Sequence, residues 1–273
     1  MLRIYVNDPA GRDPFENPLE RQSFVGLYPS PGGIQAIDGQ VKVRILEMLE
    51  RQEMAFEDLV SLSGRAKSTV SVHLRDLTDT GIVGVRVDPD DARKKIFHLN
   101  SLYLAGADAA WQDWFDVNRY VGKALSCQGD TARLYRFILS SIRLTLLSRG
   151  VTIDPVLHLA GLSAGHSLYP CVKDADTERL VGNIAKFWAD NGLGRIEPED
   201  HDPLTLKITD CFECIDLPPY GKPACAFESG VLSCIFSEHF GQQAKAFETR
   251  CYAMKNSFCR FEIRVDSERP ARL

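Results

Sequence analysis

From Asp38 the apolar residues Val41, Ile45, Leu46 and Leu49 recur at intervals of three and four, with Lys42, Glu47 and Glu50 between them. That spacing predicts an amphipathic helix. Phe56, Leu59, Val60 and Leu62 predict a second helix ending near Gly64, and the run from Ser68 to Leu77 predicts a third ending near Gly81. Two helices joined by a turn of about three to four residues make a helix-turn-helix. Beyond Gly81 the period shortens: Ile82, Val83, Val85 and Val87 precede the turn residues Asp88-Pro89-Asp90-Asp91, and Ile96, Phe97 and Leu99 follow. This is a β-hairpin, the wing of a winged helix.

Residues 8–33 hold Pro9, Pro14, Pro18, Pro29 and Pro31 with Gly11, Gly26, Gly32 and Gly33, which predicts an irregular N-terminal arm over 1–37. Leu2, Ile4 and Val6 alternate as a short strand would. After the winged helix-turn-helix of residues 38–100, Trp111, Trp114, Phe115, Val121 and Leu125 fall on one helical stripe. They predict a linker and dimerisation helix over 101–129. Asp130 is placed to cap a helix through Leu134, Phe137, Ile138, Ile142 and Leu146, opening a second domain over 130–273.

A chain of 273 residues that is 44% apolar can build two cores. It has no apolar run of ~18 residues and no secretory h-region, so a cytoplasmic protein without membrane contact is expected. A formal charge of -5 does not suggest a generic polyanion binder and directs attention to local basic surface. Between Gly64 and Arg75 stand Arg65, Lys67 and Arg75 with no acid, and the wing's return carries Arg93, Lys94 and Lys95. Lys67, Ser68, Thr69, Ser71, His73 and Arg75 are the candidate DNA contacts of the third helix, with Arg93, Lys94 and Lys95 on the phosphate backbone.

Eight cysteines in a reducing compartment argue for metal binding or redox sensing. Cys225, Glu248-x-x-Cys251 and Cys259 supply three thiolates and a carboxylate, a plausible zinc shell. Four ligands with no fifth candidate nearby describe a closed structural site. The competing reading is three small buried hydrophobes. Cys211-x-x-Cys214, at the end of a strand, is either a reversible dithiol or a pair of core cysteines. Cys127, Cys171 and Cys234 have no assigned role, and His158, His166 and His239 lack ligand spacing to the cysteines.

The pattern Val70-Ser71-x-His73-Leu74-x-x-Leu77-x-x-x-Gly81-Ile82-Val83 resembles the recognition helix and wing approach of arsenic-repressor-type regulators. The resemblance implies a homodimer on a palindromic operator in double-stranded DNA, with half-sites one helical turn apart. That family's best-known metal site uses paired cysteines on the recognition helix. With no cysteine between residues 1 and 126, that route is excluded here.

Residues 130–266 resemble the 4-vinyl-reductase-type domain, through Asn191-Gly192-Leu193-Gly194, the strand Leu204 to Cys211, Cys225 to Ser233, Phe247-Glu248-x-x-Cys251 and Cys259 to Ile263. Its zinc-binding members place a glutamate 23 residues after a cysteine, then cysteines three and eight further on, as do Cys225, Glu248, Cys251 and Cys259. The family's glycine before the last cysteine is replaced here by Met254-Lys255-Asn256, and Asn256 is expected to make the turn.

Together the two domains resemble the methanogen-specific redox-responsive regulators. The expectation is an α+β protein: an N-terminal winged helix-turn-helix, a helical linker and a C-terminal α/β sensor domain. It would act as a repressor sensing redox state through thiols in a zinc-containing domain. In the alternative, zinc is purely structural and the sensor binds an aromatic or tetrapyrrole ligand among Phe187, Trp188, Phe227 and Phe236. An enzyme acting on a tetrapyrrole vinyl group is disfavoured, because the chain lacks a Gly-x-Gly-x-x-Gly fingerprint.

Overall fold

The structure, a computed structural model, describes residues 24–89, 91, 93–112, 117, 120 and 131–270. These divide into two compact units, one within residues 24–112 with Arg149–Ile153, the other of residues 117, 120, 131–148 and 154–270. Leu2, Ile4, Val6, Trp114, Phe115, Val121, Leu125, Cys127 and Asp130 lie outside the described residues.

In the first unit, β1 (Phe24–Ser30) and β2 (Gly33–Ile37) form an antiparallel hairpin, where the sequence predicts an irregular arm. Pro29, Pro31, Gly32 and Gly33 stand at or beside its turn, while Pro9, Gly11, Pro14 and Pro18 lie outside the described residues. Gly33 takes φ 112°, and Ser30 Oγ accepts from the Gly32 N–H at 3.2 Å while donating to the Gly33 carbonyl at 2.9 Å. The second difference is β6 (Ala105–Gln112), a strand where the aromatic stripe predicts the start of a helix. β6 pairs with β1 and with β7 (Arg149–Thr152), giving the order β2-β1-β6-β7. Pairing on both edges overrides the helical preference of its alanines.

The rest of this unit is α1 (Gln40–Leu49), β3 (Met54–Ala55), α2 (Phe56–Ser63), α3 (Lys67–Asp79), β4 (Val83–Val87) and β5 (Lys95–Leu99). Gly64 ends α2 in the left-handed conformation only glycine adopts freely, so α3 restarts in a new direction three residues on. The strands order as β3-β5-β4, with Val85 opposite Phe97. Ile45, Leu46, Leu59, Val70, Leu74, Leu77 and Ile82 form the core, joined by Tyr28 and Ile37 from the hairpin.

The second unit contains α4 (Thr131–Ser148), α5 (Asp154–Val172), α6 (Thr177–Asp190), β8 (Arg195–His201), β9 (Leu204–Thr209), α7 (Ala226–Phe240), β10 (Gln242–Arg250) and β11 (Cys259–Pro270). Its antiparallel sheet runs β10-β11-β9-β8. α7 is buried from Ala226 through Phe236 except at Phe227, and over that span it has no one-sided polar stripe, as befits a central helix. Small residues let α5 and α7 touch backbone to backbone: a Cβ on Gly161 would lie 2.1 Å from the Phe227 carbonyl oxygen, and one on Gly230 2.2 Å from that of His158. α4 forms as its periodicity predicts, but Leu134, Ile138 and Ile142 are exposed, whereas Ser140, Arg143, Leu144 and Leu147 are buried. Among the described residues no helix is long and apolar enough to cross a membrane.

Candidate functional site

The chemistry of the second unit gathers where three loops meet. Cys211 and Cys214 follow β9, Cys225 occupies the N-cap position of α7, Glu248 lies near the end of β10, and Cys251 and Cys259 flank the turn into β11. That turn contains a single 3-10 coil, Tyr252–Met254. Lys255, with φ 66°, supplies the left-handed residue that the sequence assigns to Asn256. Asn256 instead ties the loop shut: its N–H donates to the Cys251 carbonyl at 3.1 Å and its Oδ1 accepts from the Cys251 N–H at 3.3 Å.

Cys225, Glu248, Cys251 and Cys259 bring their ligand atoms within 4.8 Å of one another. Cys225 Sγ lies 3.7 Å from Cys259 Sγ and 3.9 Å from Cys251 Sγ. A tetrahedral zinc with sulfurs at about 2.3 Å has an S···S edge of about 3.8 Å. Glu248 Oε2 accepts from the Ala224 and Cys225 N–H groups, both at 2.9 Å. Glu248 Oε1 is buried with no hydrogen-bond partner. An orphaned carboxylate oxygen beside three sulfurs is the donor set a borderline-soft cation satisfies, so these residues fit zinc.

The expectation of no fifth candidate ligand is corrected here. Cys211 Sγ lies 3.5 Å from Cys225 Sγ, and Cys214 Sγ 3.2 Å from Cys259 Sγ. Cys211, Cys214, Cys225 and Cys259 form a second group with every Sγ within 4.8 Å. The Cys-x-x-Cys pair is therefore part of the same cluster as the other three sulfurs. Their separation in sequence hides this, because β11 lies between β9 and β10 in the sheet.

All five thiols are buried, at most 1% exposed. Burial opposes ionisation at Cys211, yet hydrogen bonds from Cys214, Cys225 and Cys259 hold its thiol well below the usual range. Burial also opposes it at Cys251, where Cys214, Cys225, Cys259 and Glu248 have the same lowering effect. Burial raises Cys214 and Cys225, and hydrogen bonding to Cys211 raises Cys259. Thiolate is the form of cysteine that binds metal and reacts with oxidants.

Beneath the cysteines lies a polar layer absent from the sequence predictions. Glu213, between the two cysteines of the pair, accepts from the Phe227 and Glu228 N–H groups at 3.1 and 3.0 Å and so fastens that loop to the start of α7. Arg143 donates to Glu213 Oε1 and Asp154 Oδ1, both at 3.2 Å, and to the Ala224 carbonyl at 2.7 Å. Lys222 reaches Asp154 Oδ2 at 3.2 Å. Glu228 accepts from Trp188 Nε1 at 2.6 Å and from Cys211 at 3.4 Å, and burial pushes its carboxyl well above the usual range. Glu213 is pushed up to about 8 by burial, against the downward pull of Arg143. Arg143 carried no sequence signal, since an arginine in an amphipathic helix ordinarily faces water.

The remaining candidates lie elsewhere. Trp188 and Phe236 are core residues, 2% and 0% exposed, while Phe227 packs edge-on against Phe212. His166 pairs with Glu238 and His239 with Thr177, and neither enters a metal-capable group among the described residues. Cys234 is buried on α7 and Cys171 is exposed on α5.

In the first unit, Lys67, Ser68 and Arg75 are exposed on α3, and Thr69, Ser71 and His73 are half-buried. α3 has no side-chain cap, which leaves its first N–H groups available to a phosphate. Val72, which the sequence reading did not single out, is 60% exposed on α3. Arg93, Lys94 and Lys95 are exposed on the wing.

Residues 39–85 match the model of the bacterial regulatory proteins of the arsR family, and residues 204–265 match that of the 4-vinyl-reductase domain. The chain joins an arsR-family helix-turn-helix to a 4-vinyl-reductase domain. An uncharacterized protein of Methanocaldococcus jannaschii is 38% identical over 82 residues, covering 30% of this chain and 51% of that protein. A second from the same organism is 21% identical over 133 residues, covering 48% and 76%. The chain thus spans about half the length of the first relative. Among solved structures, a vinyl-4-reductase family protein from M. jannaschii is 15% identical with a TM-score of 0.34, covering 55% of this chain and 91% of that one. The phenol-responsive sensory domain of the transcription activator PoxR, with phenol, is 13% identical with a TM-score of 0.35, covering 68% and 84%. The two matched regions stand in a chain of mixed helix and strand.

Proposed function

We propose that this two-domain regulator is a cytoplasmic, non-enzymatic repressor that binds a palindromic operator as a homodimer and responds to the redox state of its buried cysteine cluster. Lys67, Ser68, Thr69, Ser71, His73 and Arg75 read DNA from α3, and Arg93, Lys94 and Lys95 hold its backbone from the wing. Zinc is held by Cys225, Glu248, Cys251 and Cys259, where it supplies a structural cross-link between α7, β10 and β11. Cys211 and Cys214 are the oxidisable pair.

The observation that carries this reading is the contact of Cys211 with Cys225 and of Cys214 with Cys259, at 3.5 and 3.2 Å. Hydrogen peroxide takes two electrons from two thiols, forming one S–S bond and, with the two thiol protons, two waters as its O–O bond breaks. Any such bond made within this cluster alters the surroundings of a zinc ligand, so redox state and metal occupancy are linked.

The test is fluorescence anisotropy of the full chain on DNA from upstream of its own gene, air-free, with and without a thiol reductant. Affinity that changes with reductant supports the thiol switch. Tight binding indifferent to reductant refutes it and favours an organic-ligand sensor, and no binding in either state refutes the DNA-reading assignment.

A further inference from the structure

Three groups of metal-capable side chains stand among the described residues, one of them Glu213, Cys225 and Glu228, and the two four-membered groups are not two sites. Cys225 and Cys259 belong to both, completed in one case by Glu248 and Cys251 and in the other by Cys211 and Cys214. We infer that the cluster is a metal site with two registers, in which a borderline ion such as zinc takes Cys225, Glu248, Cys251 and Cys259 while a thiophilic ion such as cadmium takes Cys211, Cys214, Cys225 and Cys259, one ion at a time. The inference rests on the reading of this cluster as a metal site and adds an all-thiolate shell to it.

Each register is built independently. In the mixed one, two backbone N–H groups hold Glu248 Oε2 in place and leave the buried Oε1 directed at no protein partner. The carboxylate is thus positioned without needing an ion to order it. In the all-sulfur register, Cys211 and Cys214 are both 0% exposed, and the loop carrying them is fastened through Glu213 to the first N–H groups of α7, the helix that Cys225 begins. No bulk water competes for those positions. Ligand softness then sorts the ions, because sulfur-only shells favour soft cations and a shell with one oxygen is acceptable to zinc.

The registers have opposite consequences for the thiol chemistry. With the mixed shell filled, Cys211 and Cys214 carry no metal. With the all-sulfur shell filled, both are capped by the ion and withdrawn from oxidation. The identity of the bound metal thereby decides whether the dithiol can act.

The test uses the full chain, reduced, stripped by chelation and reloaded air-free with one equivalent of zinc or of cadmium, its ligand shell counted by X-ray absorption spectroscopy. Three sulfurs and one oxygen around zinc, four sulfurs around cadmium, and one ion per chain are expected. The same shell for both ions, or two ions per chain, overturns the two registers while leaving the metal-site reading intact. Failure to retain either ion overturns both.

The paired variants sharpen the result. Cys211→Ser with Cys214→Ser should weaken cadmium binding about tenfold or more and change zinc binding less than about twofold, and Glu248→Gln should do the reverse. Equal loss of both ions in either variant removes the sorting of ions between registers. The wild-type spectra decide the question without either variant if one fails to fold.

Discussion

The two units of this chain differ in where they keep their chemistry, one at its surface and the other in its core. In the unit proposed to read DNA the buried residues of the described chain are apolar except for Ser63 and Ser101, and every charged side chain proposed to act is exposed or half-buried. In the sensor unit Arg143, Asp154, Glu213, Lys222, Glu228 and Glu248 are all buried together with five thiols of the cluster. A reader must present its donors to a large polyanion in water, so its core need only hold a shape. The unit proposed as the sensor contains in its core the sulfurs of the cluster and the polar layer that satisfies the groups around them. The difference predicts that the same kind of substitution has different consequences in each unit.

Arg143→Met is expected to have the largest effect, about 3–5 kcal/mol of sensor stability, because Asp154 and Glu213 would be left buried beside no guanidinium. Denaturant unfolding followed by circular dichroism measures it, and a loss below about 1 kcal/mol would mean the polar core is not integral. The matching test in the reader is Leu74→Ala. At 2% exposure it should cost about 2–4 kcal/mol by loss of burial and a cavity, with DNA affinity falling only as the folded fraction falls.

Gly230→Ala comes next. Its new methyl meets the His158 carbonyl oxygen, and forcing α5 and α7 apart should cost about 1–3 kcal/mol in the sensor, read as a lower denaturation midpoint. The smallest effect on stability belongs to Lys94→Ala on the exposed wing, within about 0.5 kcal/mol. It should weaken binding to all DNA sequences alike and flatten the salt dependence of log K by about one unit. An unchanged slope removes the wing from the interface.

What could be read from the sequence follows the same division. The helices and hairpin of the reader are legible because each is local: Val41, Ile45 and Leu49 recur with helical spacing, and Gly64 and Gly81 punctuate where a left-handed residue is needed. The hairpin of β1 and β2 was not, since its prolines and glycines suggest irregularity until a tight turn is seen to concentrate them. β6 was not either, because its strand character comes from β1 and β7, both distant in sequence, rather than from its own alanines.

In the sensor, the intervals between Cys225, Glu248, Cys251 and Cys259 marked out one group of ligands in sequence, and the structure brings those four together. Spacing had no means of showing that Cys211 and Cys214 join them, or that Arg143 supports the layer beneath.

By itself, then, the sequence determined the local elements of the proposed reader, the run of basic residues without an acid from Arg65 to Arg75, the basic return of the wing, and one set of residues that could bind a soft cation. Periodicity, turn chemistry and ligand type are all properties of short segments. The tertiary structure alone decided which cysteines are neighbours, which carboxylate oxygen is left without a partner and which arginine is buried. Those depend on the strand order β10-β11-β9-β8 and on the seating of α7 against β10, and long-range pairing of that kind leaves no periodic trace in any one segment.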